Sequence, residues 1–136
     1  MKKNKSKNKH KFICIRNNDR YINADYIVAI IPYSSGKAAF ITSNEQSFIS
    51  YEPHNSNYYY DLLTAKQRQK LTPIKVLLTF DPETYLYINF DYLIGINPQI
   101  IRDTVVKCEF VFRFEVPSIG NPRFYIDKDT FNKLIE

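Results

Sequence analysis

The sequence predicts a β-dominated α+β fold in which two similar strand, hairpin and helix units pack as one compact domain. The first observation is a repeat: residues 21–30 read Tyr-Ile-Asn-Ala-Asp-Tyr-Ile-Val-Ala-Ile, and residues 87–96 read Tyr-Ile-Asn-Phe-Asp-Tyr-Leu-Ile-Gly-Ile. A repeat of this length indicates duplicated supersecondary structure. The second observation is the composition, because 11 Tyr, 10 Phe and only three Gly favour strands. The apolar share of 44% over 136 residues is enough for a folded core.

The first unit is predicted to span residues 12–71, after a disordered basic tail over residues 1–11. Its first predicted elements are a strand over 11–16, a turn over 17–20, the first repeat copy, and a hairpin made by 38–42 and 46–51. A helix is predicted near residues 58–70, because its apolar side chains recur on one helical face. Asn57 is its expected N-terminal cap.

The second unit is predicted to span residues 72–136. Its predicted elements are a strand over 74–80, a turn over 81–84, the second repeat copy, a long strand over 104–116, a strand over 123–126 and a helix near 128–135. Alternate residues of the long strand are apolar and are expected to share one face: Val106, Cys108, Phe110, Phe112 and Phe114. Asp127 is the expected cap of the closing helix.

The net charge of +5 is concentrated at the start of the chain. Six of the 19 basic residues lie within residues 1–11, which leaves 13 basic residues against all 14 acidic ones in the remainder. A lysine-rich tail on a nearly neutral body suits phosphate backbones or an anionic surface, and a merely solubilising tail is the alternative. No apolar stretch of signal-peptide length follows the lysines and none approaches the length of a membrane span, so neither a signal peptide nor a membrane segment is predicted.

No catalytic constellation or cofactor motif is evident, so we expect a protein that is not an enzyme and needs no cofactor. His10 lies in the tail and His54 in a polar loop, and neither has a spaced carboxylate or cysteine that would indicate a triad or a metal site. Cys14 and Cys108 form no CxxC pair, and both are expected to be small buried residues. Isolated cysteines without an export signal predict a cytoplasmic location.

Asp25 and Asp91 recur at the same position of the two repeat copies. If the two units pack symmetrically, the carboxylates could act together on a proton or a metal ion. The alternative is structural, because an Asn-x-Asp segment between two strands can bond its own backbone and fix a bend.

Two groups of basic residues are candidates for nucleic-acid contacts. The tail contributes Lys3, Lys5, Lys7, Lys9 and Lys11, and the predicted helix contributes Lys66, Arg68 and Lys70. Cations at such positions neutralise phosphates and release counterions, which gives salt-dependent binding. A solvated helix face is the alternative for the second group.

The second unit resembles the competence transcription factor ComK family. The residues that carry the resemblance are Thr72-Pro73-Ile74-Lys75-Val76, Asp81-Pro82, the aromatic strand with its Ile88-Asn89 phrase, the Phe110 strand and the Phe131 helix. The early phrase from Tyr21 to Pro32 resembles the opening of the family. The family's Phe-Pro-Thr signature is absent, since Tyr85 to Asn89 stand there instead, and no DNA-contacting residue is carried over. The resemblance implies a β-rich cytosolic regulator that binds AT-rich DNA as an oligomer.

The leading hypothesis is therefore a cytoplasmic DNA-binding transcriptional regulator that contacts double-stranded DNA through the tail and the helix group. The main alternative is a small protein-interaction module, such as a mobile-element or phage accessory protein, that binds a host protein through its aromatic surface. The sequence permits a homo-oligomer without requiring one.

Overall fold

The computed structural model describes residues 11–17, 19–33, 36–77 and 83–136, and it has the predicted β-dominated α+β fold. The ten strands are β1 (Phe12–Arg16), β2 (Arg20–Asn23), β3 (Ile27–Tyr33), β4 (Lys37–Thr42), β5 (Ser47–Ile49), β6 (Thr72–Lys75), β7 (Tyr85–Ile88), β8 (Leu93–Arg102), β9 (Val105–Phe112) and β10 (Arg123–Asp127). The three α-helices are α1 (Ser56–Asp61), α2 (Ala65–Gln69) and α3 (Lys128–Leu134). Single 3-10 turns at Ala24–Tyr26 and Phe90–Tyr92 join β2 to β3 and β7 to β8.

The strands form three antiparallel sheets. The largest has the order β5-β4-β3-β7-β6, the second has the order β10-β9-β8, and the third is the β1-β2 hairpin. Strand β3 pairs with β7 in the register Ala29 to Ile88 and Ile30 to Tyr87, which joins the first half of the chain to the second. The five-stranded sheet is therefore built from both repeat copies.

Each face of the five-stranded sheet contributes to a different hydrophobic cluster. The first cluster contains Ile31, Ile41 and Ile88 of that sheet together with Phe110 of β9 and Phe131 of α3. The five-stranded sheet thus packs on one side against the three-stranded sheet and α3. Burial of this apolar surface is the main favourable contribution to folding.

The second cluster lies on the other side of the same sheet. It brings together Ile13 of β1, Ile30 of β3, Phe40 of β4 and Tyr59 of α1, all of which are almost fully buried. The rings of Phe40 and Tyr59 meet edge to face at 5.0 Å, an arrangement that aromatic quadrupoles favour. The β1-β2 hairpin and α1 thus cover this face.

The two repeat copies occupy corresponding places in two similar sets of strands. The hairpin β1-β2 corresponds to β6-β7, and the three strands β3, β4 and β5 correspond to β8, β9 and β10. A β-bulge between Ile27 and Ala29 of β3 recurs between Leu93 and Gly95 of β8. The duplication therefore extends beyond the repeated residues to the pairing of their neighbours.

The Asn-x-Asp segments fold as expected for a structural role. The side-chain oxygen of Asn23 accepts a hydrogen bond from the backbone amide of Asp25 at 3.0 Å. The side-chain oxygen of Asn89 accepts from the amide of Asp91 at the same distance. This local bond gives a backbone amide at the start of each 3-10 turn a hydrogen-bond acceptor and fixes the bend between the two strands.

The alternation predicted for residues 104–116 is confirmed over β9. Val106, Cys108, Phe110 and Phe112 are buried, whereas the intervening residues are partly exposed. The strand ends at Phe112, before the predicted end, because the chain then bends away into the turns that precede β10.

The structure differs from the prediction of one helix over residues 58–70. Two short helices form instead, and Asn55 rather than Asn57 caps α1 by accepting a hydrogen bond from the amide of Tyr58. Helix α1 ends at Asp61 with Leu62 as its C-terminal cap, and Thr64 then adopts an extended backbone and forms a capping box with Gln67 at the start of α2. A reciprocal cap of this kind satisfies two backbone amides and favours a new helix start.

Three smaller features complete the comparison with the predicted elements. The strand expected over 74–80 is β6, Thr72–Lys75, and residues 78–82 lie outside the described part of the chain. Asp127 stands at the N-cap position of α3, but its side chain makes no capping hydrogen bond. The predicted tail is described only at Lys11.

Candidate nucleic-acid interface

The end of the basic tail is attached to the first 3-10 turn. Lys3, Lys5, Lys7 and Lys9 lie outside the described residues. The carbonyl oxygen of Lys11 accepts a hydrogen bond from the amide of Ala24 at 2.6 Å. This bond fixes the point at which the basic segment meets the folded body.

Helix α2 is attached to the same turn. The side-chain amide of Gln67 donates a hydrogen bond to Asp25 Oδ1 at 2.8 Å. Gln67 is itself buried and is held by its reciprocal bonds with Thr64. The structure therefore brings the last tail lysine and α2 to adjacent residues of one turn, Ala24 and Asp25.

The two lysines of the helix group are exposed. Lys66 lies within α2 and Lys70 is the residue at its C-terminal cap. Because Gln67 faces the protein interior, these ammonium groups lie on the solvent side of the helix. Both are available as point charges for a phosphate.

Arg68 makes intramolecular contacts at the end of α1. Its Nε donates to the carbonyl oxygen of Tyr60 at 3.2 Å, and its Nη2 donates to that of Asp61 at 2.7 Å. The guanidinium also lies 5.5 Å from the centre of the Tyr60 ring. Arg68 thus satisfies carbonyl groups at the C-terminal end of α1, where a cation is favourable.

Neighbouring tyrosines are used for packing. The rings of Tyr60 and Tyr87 are stacked with their centres 4.0 Å apart, and the Tyr87 hydroxyl donates to the side-chain oxygen of Asn57 at 2.9 Å. Burial raises the pKa of Tyr87 above its ordinary value. Burial likewise raises the pKa of Tyr59, whose hydroxyl lies 2.6 Å from that of Ser50. Neither Tyr59 nor Tyr87 offers an open ring face.

The two repeated carboxylates lie on the two 3-10 turns. Asp25 accepts the hydrogen bond from Gln67, and Asp91 lies exposed on the second 3-10 turn. No group of three or more His, Cys, Asp or Glu within the described ranges could hold a metal ion. At both turns the Asn side chain bonds to the local backbone, as expected if the Asn-x-Asp segments fix a bend between two strands.

The two cysteines differ in burial. Cys108 is buried in β9, as predicted, and burial raises its pKa to about 11, so its thiol stays protonated near neutral pH. Cys14 is only partly buried, because Ile13 and Ile15 of β1 take the core-facing positions on either side of it. The expectation that Cys14 is buried is therefore wrong.

The sequence reasoning missed the exposed strand β8. Ile94, Ile100 and Ile101 are all exposed along this strand, although they read as strand-forming apolar residues. Strand β8 pairs with β9, and no second partner for it occurs among the strands that the structure describes. The signal that could have found it is the continuation of the second copy into polar residues after Gly95, where the first copy remains apolar.

Comparison with known proteins gives no relative for this chain: no family model matches it, and neither a curated protein nor a solved structure is significantly similar. Within the described residues, no helix is both long enough and apolar enough to cross a lipid bilayer.

Proposed function

We propose that the chain is a non-enzymatic, DNA-binding transcriptional regulator whose tail lysines and α2 contact the phosphate backbone. One observation carries the proposal: Lys11 and Gln67 of α2 bond to adjacent residues of the same 3-10 turn. Lys11, the last lysine of the basic segment, is therefore attached to the same turn as the helix that exposes Lys66 and Lys70.

Charge distribution supports the same proposal. The tail carries six lysines and no acid, whereas the rest of the chain is nearly neutral. A local concentration of ammonium groups beside two further lysines provides several phosphate contacts without base recognition. Sequence preference would then come from other residues or from DNA shape.

The resemblance to the ComK family supports double-stranded, AT-rich DNA as the ligand and the cytoplasm as the location. It also supports an oligomeric binding form. The ligand, the location and the oligomeric form are therefore parts of the proposal. The contact residues are proposed from their charge and their position in this chain, and none is carried over from the family.

Fluorescence anisotropy of AT-rich and GC-rich duplexes over a salt series tests the proposal. The informative variants are the full chain with Lys3, Lys5, Lys7, Lys9 and Lys11 replaced by Gln, and the full chain with Lys66→Gln and Lys70→Gln. The matched control is Lys128→Gln with Lys133→Gln, which removes two charges from α3 on the opposite face of the central sheet.

We expect the tail variant to lose affinity by about tenfold or more and to flatten the salt dependence, because each lost phosphate contact lowers that slope by about one. The α2 variant should lose less, and the α3 control should bind like the unmodified chain. Duplex binding that is absent, or equally strong in all four proteins, would overturn the proposal.

A second function, binding of a host protein, is favoured by the exposed aromatic residues of the β1-β2 hairpin and the following turn. Phe12, Tyr21 and Tyr26 are each about half exposed. Aromatic side chains are enriched at protein interfaces. Recovery of one stoichiometric protein partner after nuclease treatment, together with loss of that partner on Phe12→Ser, would support this function over DNA binding.

A further inference from the structure

In each duplicated unit, one strand lacks, among the described strands, the partner that its counterpart in the other unit has. In the first unit β3 pairs with β4 and, on its other edge, with β7 of the second unit. The corresponding strand of the second unit, β8, pairs with β9, and its other edge has no partner among the described strands. Likewise β7 has two partners, whereas its counterpart β2 has only β1 among the strands that the structure describes.

The side chains compared here are buried on the strands with two partners, β3 and β7, and exposed on their counterparts with one described partner, β8 and β2. Val28 is 3% exposed, whereas its counterpart in β8, Ile94, is 73% exposed. Tyr87 is 5% exposed, whereas its counterpart in β2, Tyr21, is 54% exposed. These two pairs of residues are therefore buried where β3 and β7 meet and exposed on β8 and β2, whereas Ile22 of β2 is buried like its counterpart Ile88.

We propose that β8 of one molecule pairs with β2 of a second copy of this chain, and that this contact repeats the internal pairing of β3 with β7. Exposed strand edges are templates for such pairing. The occupant is a second copy because this chain carries both halves of the contact, and their internal counterparts already fit each other.

The internal ladder fixes the register of the contact. Ala29 faces Ile88, Ile30 faces Tyr87, and the amide of Asn89 donates to the carbonyl oxygen of Val28 at 2.8 Å. The corresponding pairs between two molecules are Gly95 with Ile22 and Ile96 with Tyr21, and the amide of Asn23 donates to the carbonyl oxygen of Ile94.

The backbone of β2 is oriented for this contact. The amide of Ala24 donates toward β1, to the carbonyl oxygen of Lys11. Because successive backbone amides of a strand point to opposite edges, the amide of Asn23 points to the free edge. The donor required by the register is therefore available.

Proline limits the contact at the same place in both units. Internal pairing of β3 with β7 ends at Ile30, two residues before Pro32. Pro98 is the counterpart of Pro32 in β8. Since proline has no backbone amide to donate, the ladder between two molecules also stops before residue 98.

The contact is head-to-tail, because the two edges differ. Each molecule offers one β8 edge and one β2 edge, so the assembly either closes into a ring or extends as a chain. A closed ring would leave neither edge exposed.

Sedimentation velocity of the full chain over a concentration series tests the proposal without DNA and at high ionic strength, where phosphate-type contacts are screened. We expect concentration-dependent association. Ile94→Lys places a charge at the contact and should weaken association by about tenfold or more. Ile100→Lys is the matched control, because Ile100 is also exposed on β8 but lies beyond Pro98.

Mixing two damaged molecules identifies the edges that meet. Ile94→Lys damages the β8 edge, and Tyr21→Lys damages the β2 edge. Each variant should be monomeric alone, and the mixture should form a complex of one molecule of each, since one intact β8 and one intact β2 remain. Association of the Tyr21→Lys variant alone would indicate a β8-to-β8 contact and overturn the proposal.

Hydrogen exchange of the unmodified chain gives a second measurement that needs no variant. The amides of Asn23 and Ile96 should become protected as concentration rises, whereas that of Ile100 should not change. A chain that stays monomeric, or one that associates equally after Ile94→Lys and Ile100→Lys, would overturn the proposal. Because DNA is absent, failure here affects only the oligomeric form in the DNA-binding proposal and not its phosphate contacts, and failure of DNA binding leaves this result unaffected.

Discussion

The two copies of the repeat have the same local structure in different surroundings. Both form a strand, an Asn-capped 3-10 turn and a bulged strand. In the first copy the second strand lies inside the five-stranded sheet, whereas in the second copy it lies at the edge of the three-stranded sheet. The difference shows that local sequence determines the bend and the bulge, while the partner across the sheet determines burial.

The largest expected effect is a loss of stability at two equivalent buried positions, which tests the similarity between the two halves of the chain. Phe40 and Phe110 occupy equivalent positions, and both are fully buried, one in each hydrophobic cluster. Replacing either by Ala should lower the free energy of unfolding by about 3–5 kcal/mol, because a cavity is left in a packed core. Urea unfolding measures the effect, and a loss confined to one of the two variants would show that the clusters do not contribute equally.

A smaller effect sharpens the difference between the copies. Val28→Ala removes buried methyl groups and should lower the free energy of unfolding by about 2 kcal/mol. The equivalent change Ile94→Ala should alter it by less than about 0.5 kcal/mol in the monomer, since that side chain is exposed. Thermal or urea unfolding at low protein concentration gives both values, and equal losses would contradict the described burial.

The two Asn-capped turns should respond alike. Asn23→Ala and Asn89→Ala each remove the acceptor for one backbone amide, at Asp25 and at Asp91. Each change should lower the free energy of unfolding by about 1 kcal/mol. Asp91→Asn is the control, because the described bond uses the amide of Asp91, and it should leave stability nearly unchanged. A loss of unfolding free energy at only one turn would show that the two turns, despite their common geometry, do not contribute equally to stability.

The smallest effect concerns a carboxylate that only the second copy has, since Glu109 stands where the first copy has Ala39. A hydrogen bond from Asn97, followed by the charge of Arg123, lowers the pKa of Glu109 from its ordinary 4.5. A lowered pKa contributes stability above the ordinary value, and this contribution is lost as the pH falls through the lowered value.

An NMR titration of the Glu109 carboxyl carbon should show this shift. Glu109→Gln should reduce the difference in stability between neutral and acid solution, and Glu115→Gln, on the exposed segment after β9, is the control. An ordinary pKa at Glu109 would remove this distinction between the copies.

Much of the fold could be predicted from the sequence because its signals are local. The alternation over Phe110 and its neighbours identified β9, and the Asn-x-Asp segments identified both bends. The break between α1 and α2 was missed because Thr64 and Gln67 form a reciprocal cap within a segment that also has helical periodicity. The exposure of Ile94 depends on which strand lies beside it, and the repeated residues around Ile94 do not specify this, because Val28 stands in nearly the same local sequence and is buried.

The candidate site was predictable only in part. The sequence placed Lys66 and Lys70 on the polar side of the predicted helix, and both are exposed in the structure. This is expected because lysine side chains keep their charged ends in solvent. The role of Arg68 depends on carbonyl groups of a preceding helix whose end was not foreseen. The attachment of Lys11 and α2 to one turn depends on tertiary contacts, and the bond between Gln67 and Asp25 joins residues 42 positions apart in the chain.

The pairing of β3 with β7 also has a consequence for synthesis on the ribosome. Strand β3 ends at Tyr33, and its partner begins only at Tyr85, so the central sheet cannot be completed until most of the chain has been made. Until then a nascent first half would present the apolar edge around Val28 and Ile30. Long-range pairing of this kind slows folding and favours aggregation of incomplete chains. Products that stop before Tyr85 should therefore depend on chaperones more than the full chain does.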